Sequence, residues 1–247
     1  MSIGSLDLSK INLLSNYYGS LTPGGIGAYI RVFYFNKISK ATLEKCLVNM
    51  LIDATTASIM GFFIAVVGAI VLIDKLPGLF PILMIFFILN VTAFIVFMKK
   101  RSGSKILNFI IKPLIPKKYK EKIDQSFESL YEDIPRLKDM VIPFIIEFII
   151  WIIIGIQVYI IAQAFSIDIP FHMFLLIHTI SVVAIFILPI SIGGLGVREG
   201  TFVYLLHNLY GIEPHISVVI SLSGFMVKFI LPAFLGMLLS FRKDAIL

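Results

Sequence analysis

PISIGGLGVREGTFVYLLHNL, Pro189 to Leu209, places Gly193, Gly194 and Gly196 and then a charged pair, Arg198 and Glu199, inside a region apolar enough for a bilayer. Ions at that depth are costly and by default mark function. A second copy of the pattern lies near the start, where Pro23-Gly24-Gly25-Ile26-Gly27 is followed by Arg31 and the run Val32-Phe33-Tyr34-Phe35. Setting GGIG against GGLG also brings Phe33 onto Phe202 and Phe35 onto Tyr204, which reads as an internal repeat.

The rest of the chain supplies the membrane that such a repeat needs. Of 247 residues, 58% are hydrophobic and 15% charged, with a mean hydropathy of +0.97; a soluble domain carries about 25% charged residues. Uncharged runs from Ala54 to Ile73, Leu76 to Met98, Phe148 to Ile167 and Ile169 to Val197 each reach the roughly 18–20 residues that cross a bilayer as helix. No cleavable leader is visible in the polar first ten residues. Cys46 is the only cysteine, and His172, His178, His207 and His215 lack metal-ligand spacing, so no metal or other cofactor is implied.

Charge sets the orientation. About half of the 21 basic residues fall between Lys99 and Asp139, which makes 99–139 a cytoplasmic loop by the positive-inside rule. Acids share this loop and spans flank it, so nucleic-acid binding is not the reading. Within it Tyr119, Ile123, Phe127, Leu130 and Ile134 recur at helical spacing, a helix along the membrane surface or a solvated linker.

The expected fold is all-α, a polytopic transmembrane bundle of about five spanning helices with two inverted re-entrant hairpins. A polar tail, 1–10, precedes a single transmembrane domain, 11–241, and 242–247 is a cytoplasmic tail. Two short apolar arms around Pro23-Gly24-Gly25 make 11–37 a hairpin with both feet on the cytoplasmic side; 46–73 and 79–98 are spans. After the loop come the span 140–167, a second hairpin at 171–210 that enters from outside, and a last span, 215–241, containing Lys228 and Pro232. Opposed repeats with broken helices are the architecture of many transporters, with the substrate near the midplane.

In each repeat the short helix after GGxG is expected to start at the glycine tip. Its unpaired N–H groups and positive dipole end would then form an anion site, at which glycine lets the ligand approach the backbone. Gly24, Gly25 and Gly27 form one tip and Gly193, Gly194 and Gly196 the other. Arg31 and Arg198 lie about one turn from them, and arginine's planar fork suits phosphate. Lys228 completes the site or pairs with Glu199. GGxG also serves simply as a tight turn between packed helices. Asp53 and Glu147 are candidate proton-relay carboxylates, although pairing with Lys45 or Lys138 at the interface is the simpler reading. Tyr17, Tyr18, Tyr34 and Trp151 read as belt or packing residues. No catalytic triad or nucleotide loop is present, so enzymatic or ATP-driven chemistry has no support.

PGGIGAYIRVFYFNK (Pro23 to Lys37), the helix ending Leu51-Ile52-Asp53, and SIGGLGVREGTFVYLL (Ser191 to Leu206) resemble the lysylphosphatidylglycerol-synthase transmembrane, or flippase-like, family. The resemblance runs from about Ile11 to Phe241. It implies movement of a phospholipid or lipid-linked phosphate head group between leaflets, with membrane phospholipids and a lipid-modifying enzyme as partners. Pro23, Gly24, Gly27 and Arg31 fit its first motif, and Gly193, Gly194, Gly196, Arg198 and Glu199 its second. The chain departs from the family where Gly25 replaces a usual arginine, Ala28 a usual acid, and Asn49-Met50 a usual Glu-Arg pair. Two helices that normally precede the first motif are absent, as expected of a shortened member or fragment. A small-solute or ion transporter using Asp53 or Glu147, and a non-transporting membrane subunit, are the other classes consistent with the sequence.

Overall fold

In the computed structural model, which describes residues 4–99, 131, 134–188 and 194–241, every regular element is a helix. The order is α1 (Ser5–Ser20), a 3-10 helix (Pro23–Ile30), α2 (Arg31–Ser39), α3 (Leu43–Val71) and α4 (Leu79–Met98). After a 3-10 turn (Leu137–Met140) follow α5 (Val141–Gln163), α6 (Phe171–Ile187), α7 (Val197–Tyr210), α8 (Pro214–Phe225), a π-helical segment (Met226–Ile230) and α9 (Leu231–Ser240). The surface helix read at 119–130, the tail 242–247 and Gly193 lie outside the described residues.

Among the described residues, four helices are long and apolar enough to cross a bilayer: Leu43–Val71, Leu79–Met98, Leu137–Gln163 and Pro214–Ser240. That is one fewer than the sequence suggests, because α6 stops at Ile187 with 17 residues. The uncharged run from Ile169 to Val197 is therefore not one continuous span.

α3 is the central helix. Thr42 caps it, its hydroxyl accepting from the Lys45 N–H at 3.3 Å, and Glu44 in the first turn suits the dipole. Phe62, Ala65, Val66 and Ala69 then meet Val158 of α5, Ile177 and Ile180 of α6, and Phe202 and Leu206 of α7 in the main core. On α5, Glu147, Trp151, Gly155, Val158 and Ala162 recur at helical spacing as the buried stripe. The opposite stripe (Ile142, Ile145, Ile149, Ile153, Ile160) is exposed, as a lipid-facing surface should be. Apolar burial does not distinguish core from lipid, so close packing must hold the helices together. Gly61 supplies such a contact, since a Cβ there would meet the Trp151 ring.

The two glycine motifs fold differently. Around the second, Gly194 and Gly196 have φ of +77° and +89°, a region L side chains rarely adopt, and α7 begins directly after them. α7 ends at Gly211, also left-handed, with its N–H on the His207 carbonyl, the αL closure of a helix.

The first motif does not start an α-helix at its glycines. Gly24, Gly25 and Gly27 lie within the 3-10 helix, and α2 starts four residues later at Arg31. Gly27 is small because a Cβ would overlap the Tyr18 carbonyl. Its N–H donates to the Thr22 hydroxyl at 2.6 Å, and the Ser15 hydroxyl donates to the Ala28 carbonyl at 2.8 Å, closing α1 onto the 3-10 helix. Thr22→Ala should therefore lower stability by about 1 kcal/mol, the net worth of one such bond, measurable as a drop in thermal midpoint in detergent.

The last long helix is interrupted where its sequence requires it. Pro232 has no N–H for the carbonyl four residues back, that of Lys228, and its ring crowds that oxygen. The chain responds with the π-helical turn Met226–Ile230, a feature frequent at functional sites.

Candidate functional site

Glu199 sits in the first turn of α7. One carboxylate oxygen accepts the Gly196 N–H at 2.7 Å; the other accepts from Arg198 Nε at 3.0 Å and from Arg198 Nη2. The Ser221 hydroxyl of α8 lies 3.5 Å from the same oxygen. Both side chains of the pair are only 10% exposed. The guanidinium also lies 4.5 Å above the Phe225 ring, a cation–π contact strengthened by desolvation. The positive end of α7 thus holds an anion of the protein's own.

Of the two roles open to Lys228, pairing with Glu199 is not the one adopted: Glu199 is held by Arg198 and the Gly196 N–H. The Lys228 ammonium lies 5.8 Å from the Trp151 ring centroid and faces the charges of Arg198 and Glu147. Trp151 is neither at an interface nor only packing. It is 7% exposed, donates Nε1–H to the Ala57 carbonyl at 3.2 Å, and serves as the platform under Lys228.

Arg31 reaches away from the glycines. Its Nη2 donates to Asp53 of α3 at 2.7 Å, so Asp53 pairs with Arg31. The Arg31 Nε is buried without a hydrogen-bond partner. Glu147, 7% exposed, faces Asp53 and Lys228; among the described residues it forms no ion pair, with Lys138 or any other cation.

Arg31–Asp53 and Arg198–Glu199 are ion pairs, and Glu147 and Lys228 lie between them within electrostatic range of each other, Glu147 also of Asp53 and Lys228 also of Arg198, so the charges form a string from the first motif to the second. Arg198, Glu199 and Lys228 come together as the sequence suggests, while Arg31 enters the string only through Asp53 and Glu147. Gly194 and Gly196 shape the second turn; Gly24, Gly25 and Gly27 belong to the first hairpin's 3-10 helix.

Sequence reasoning missed three participants, Ser221, Phe225 and His178. Ser221, Phe225 and Lys228 occupy one helical face at spacings of four and three, a signal open to anyone who starts from Lys228. His178 had no such signal, being a lone histidine in an apolar helix. It is 7% exposed, its ring meets Phe202 edge-on at 6.1 Å, and its Nε2 has no partner in the protein. It faces both Lys228 and Arg198.

Long apolar helices around this string of charges define a multi-pass protein of the cell membrane. Residues 1–236 match the family described as Lysylphosphatidylglycerol synthase TM region, and the chain belongs to that family. It is 24% identical over 250 residues to a UPF0104 membrane protein of Methanothermobacter thermautotrophicus, covering 93% of this chain and 73% of that one. No solved structure matches the chain.

Proposed function

We propose that the chain lets an anionic phospholipid or lipid-linked phosphate head group cross the membrane along this ionic string, without ATP. The observation that carries the reading is Lys228. It stands near the middle of the 27-residue apolar helix Pro214–Ser240, it is exposed, and among the described residues it has no ion pair. A charge at that depth is not left against hydrocarbon, so it needs water or a polar head group beside it. Asp53, a third of the way along α3 with its side chain 55% exposed, makes the same demand. Family membership supports a lipid as the occupant.

In this reading α1 to α2 form a re-entrant hairpin open to the cytoplasm, α6 to α7 form an oppositely directed one, and 99–139 is cytoplasmic. None of the four arms, at about 1.5 Å per residue, covers the roughly 30 Å of hydrocarbon. Lys228 meets the phosphate first. Arg198, Arg31, the unpaired His178 Nε2 and the two glycine motifs complete the path. Glu199 keeps Arg198 in place when no lipid is bound. A lipid-modifying enzyme that supplies the head group is the fitting partner.

The test is reconstitution in vesicles carrying fluorescent anionic or zwitterionic phospholipid, with leaflet exposure read by chemical quenching. Wild type should equilibrate the anionic lipid faster, and Lys228→Gln should slow it by about tenfold or more, the loss of one charge-assisted contact. Equal rates for both proteins would remove Lys228 from the path.

A further inference from the structure

We propose that Glu147 takes up one proton for each anionic head group the string accepts, so that lipid movement is coupled to proton movement; this rests on the head-group reading above. The warrant is charge balance. Arg31, Lys228 and Arg198 stand against Asp53, Glu147 and Glu199, as many cations as carboxylates. A phosphodiester entering a neutral string leaves one surplus negative charge, which is costly where water is scarce. One proton restores neutrality.

Geometry selects the carboxylate. Asp53 is held by Arg31 at 2.7 Å, and Glu199 by Arg198 and the Gly196 N–H. Glu147 alone among the three has no hydrogen bond or ion pair within the described residues, although it is 7% exposed. Protonation turns it into a neutral acid, removes its repulsion with Asp53, and releases Lys228 toward the phosphate. No bond of the lipid forms or breaks; the proton comes from bulk water and returns there when the head group leaves.

The surroundings of Glu147 offer no better acceptor. From α3 it faces Asp53, and from the π-helical turn Lys228. On α6, His178 faces Lys228 and Arg198, where a third positive charge is opposed. α4 carries no ionisable residue, and α8 only His215 at its far end. Lys138 and Asp139 lie in the turn that precedes α5.

Trp151 is the only tryptophan, and the Lys228 ammonium lies over its ring, so its fluorescence reports on Lys228. In zwitterionic nanodiscs, wild type titrated with acid should show a single transition. That transition should be absent in Glu147→Gln and retained in Glu147→Asp and His178→Gln. Short-chain phosphatidylglycerol should move the midpoint to higher pH, with affinity rising as pH falls between the two midpoints by up to about tenfold per pH unit, the slope of one linked proton. Zwitterionic short-chain lipid should not. A transition that survives Glu147→Gln, or anionic-lipid affinity independent of pH, would overturn the coupling and leave the lipid reading standing. Failure of the anionic lipid to bind at any pH would end both.

Discussion

Arg198→Ala is expected to cost about 3–5 kcal/mol of stability, because it leaves a buried carboxylate without its cation, and to abolish lipid equilibration. Glu199, 10% exposed, would keep only the Gly196 N–H and the distant Ser221 hydroxyl, and Phe225 would lose the guanidinium above it. From the sequence alone this substitution should stop transport and spare the fold; the buried pair reverses the second half of that expectation. Adding Glu199→Gln should restore most of the thermal midpoint without restoring transport. A single Arg198→Ala variant as stable as wild type would show that the pair is solvated, and the double variant separates folding from function in one experiment.

Gly236→Val is expected to cost about 3 kcal/mol, the upper end for forced overpacking, and to free the first hairpin from the bundle. α1 lies against α9 so closely that a Cβ at Gly236 would fall on the Leu13 backbone carbonyl and within 2.9 Å of the Tyr17 Cβ. Backbone cannot move aside as a flexible side chain does. Cysteine labelling of α1 residues should rise in the variant together with a lower thermal midpoint. Unchanged labelling would mean that the hairpin is held from α3 instead, through Val32, Cys46 and Met50.

Hydropathy made the long helices legible, because a helix in lipid must be apolar along its whole length; the runs beginning at Ala54 and Leu76 lie within or beside α3 and α4. Pro189 and the glycines after it also mark where the uncharged run stops being helix, and α6 ends at Ile187. The repeat was legible at Gly194 and Gly196, where positive φ demands glycine. It misled at Gly27, where glycine answers the Tyr18 carbonyl rather than a turn. The site was half legible. Arg198, Glu199 and Lys228 stand out as ions in apolar sequence, but which ion pairs with which depends on helix packing. Arg31 with Asp53, and Lys228 with Trp151, are separated by 22 and 77 positions respectively, and no local spacing encodes such partners.

The contact between α1 and α9 also fixes an order of events in biosynthesis. The ribosome delivers α1 long before Gly236 exists, so α1 can seat against α9 only once that last helix has been made. Seating is thus the closing step of assembly, and the ionic string, which needs Arg31 from the first hairpin and Lys228 from the last helix, is complete only then. Until that moment the nascent protein holds charges in the bilayer without their full set of partners, an interval in which an insertion chaperone or quality-control protease has both a target and time to act.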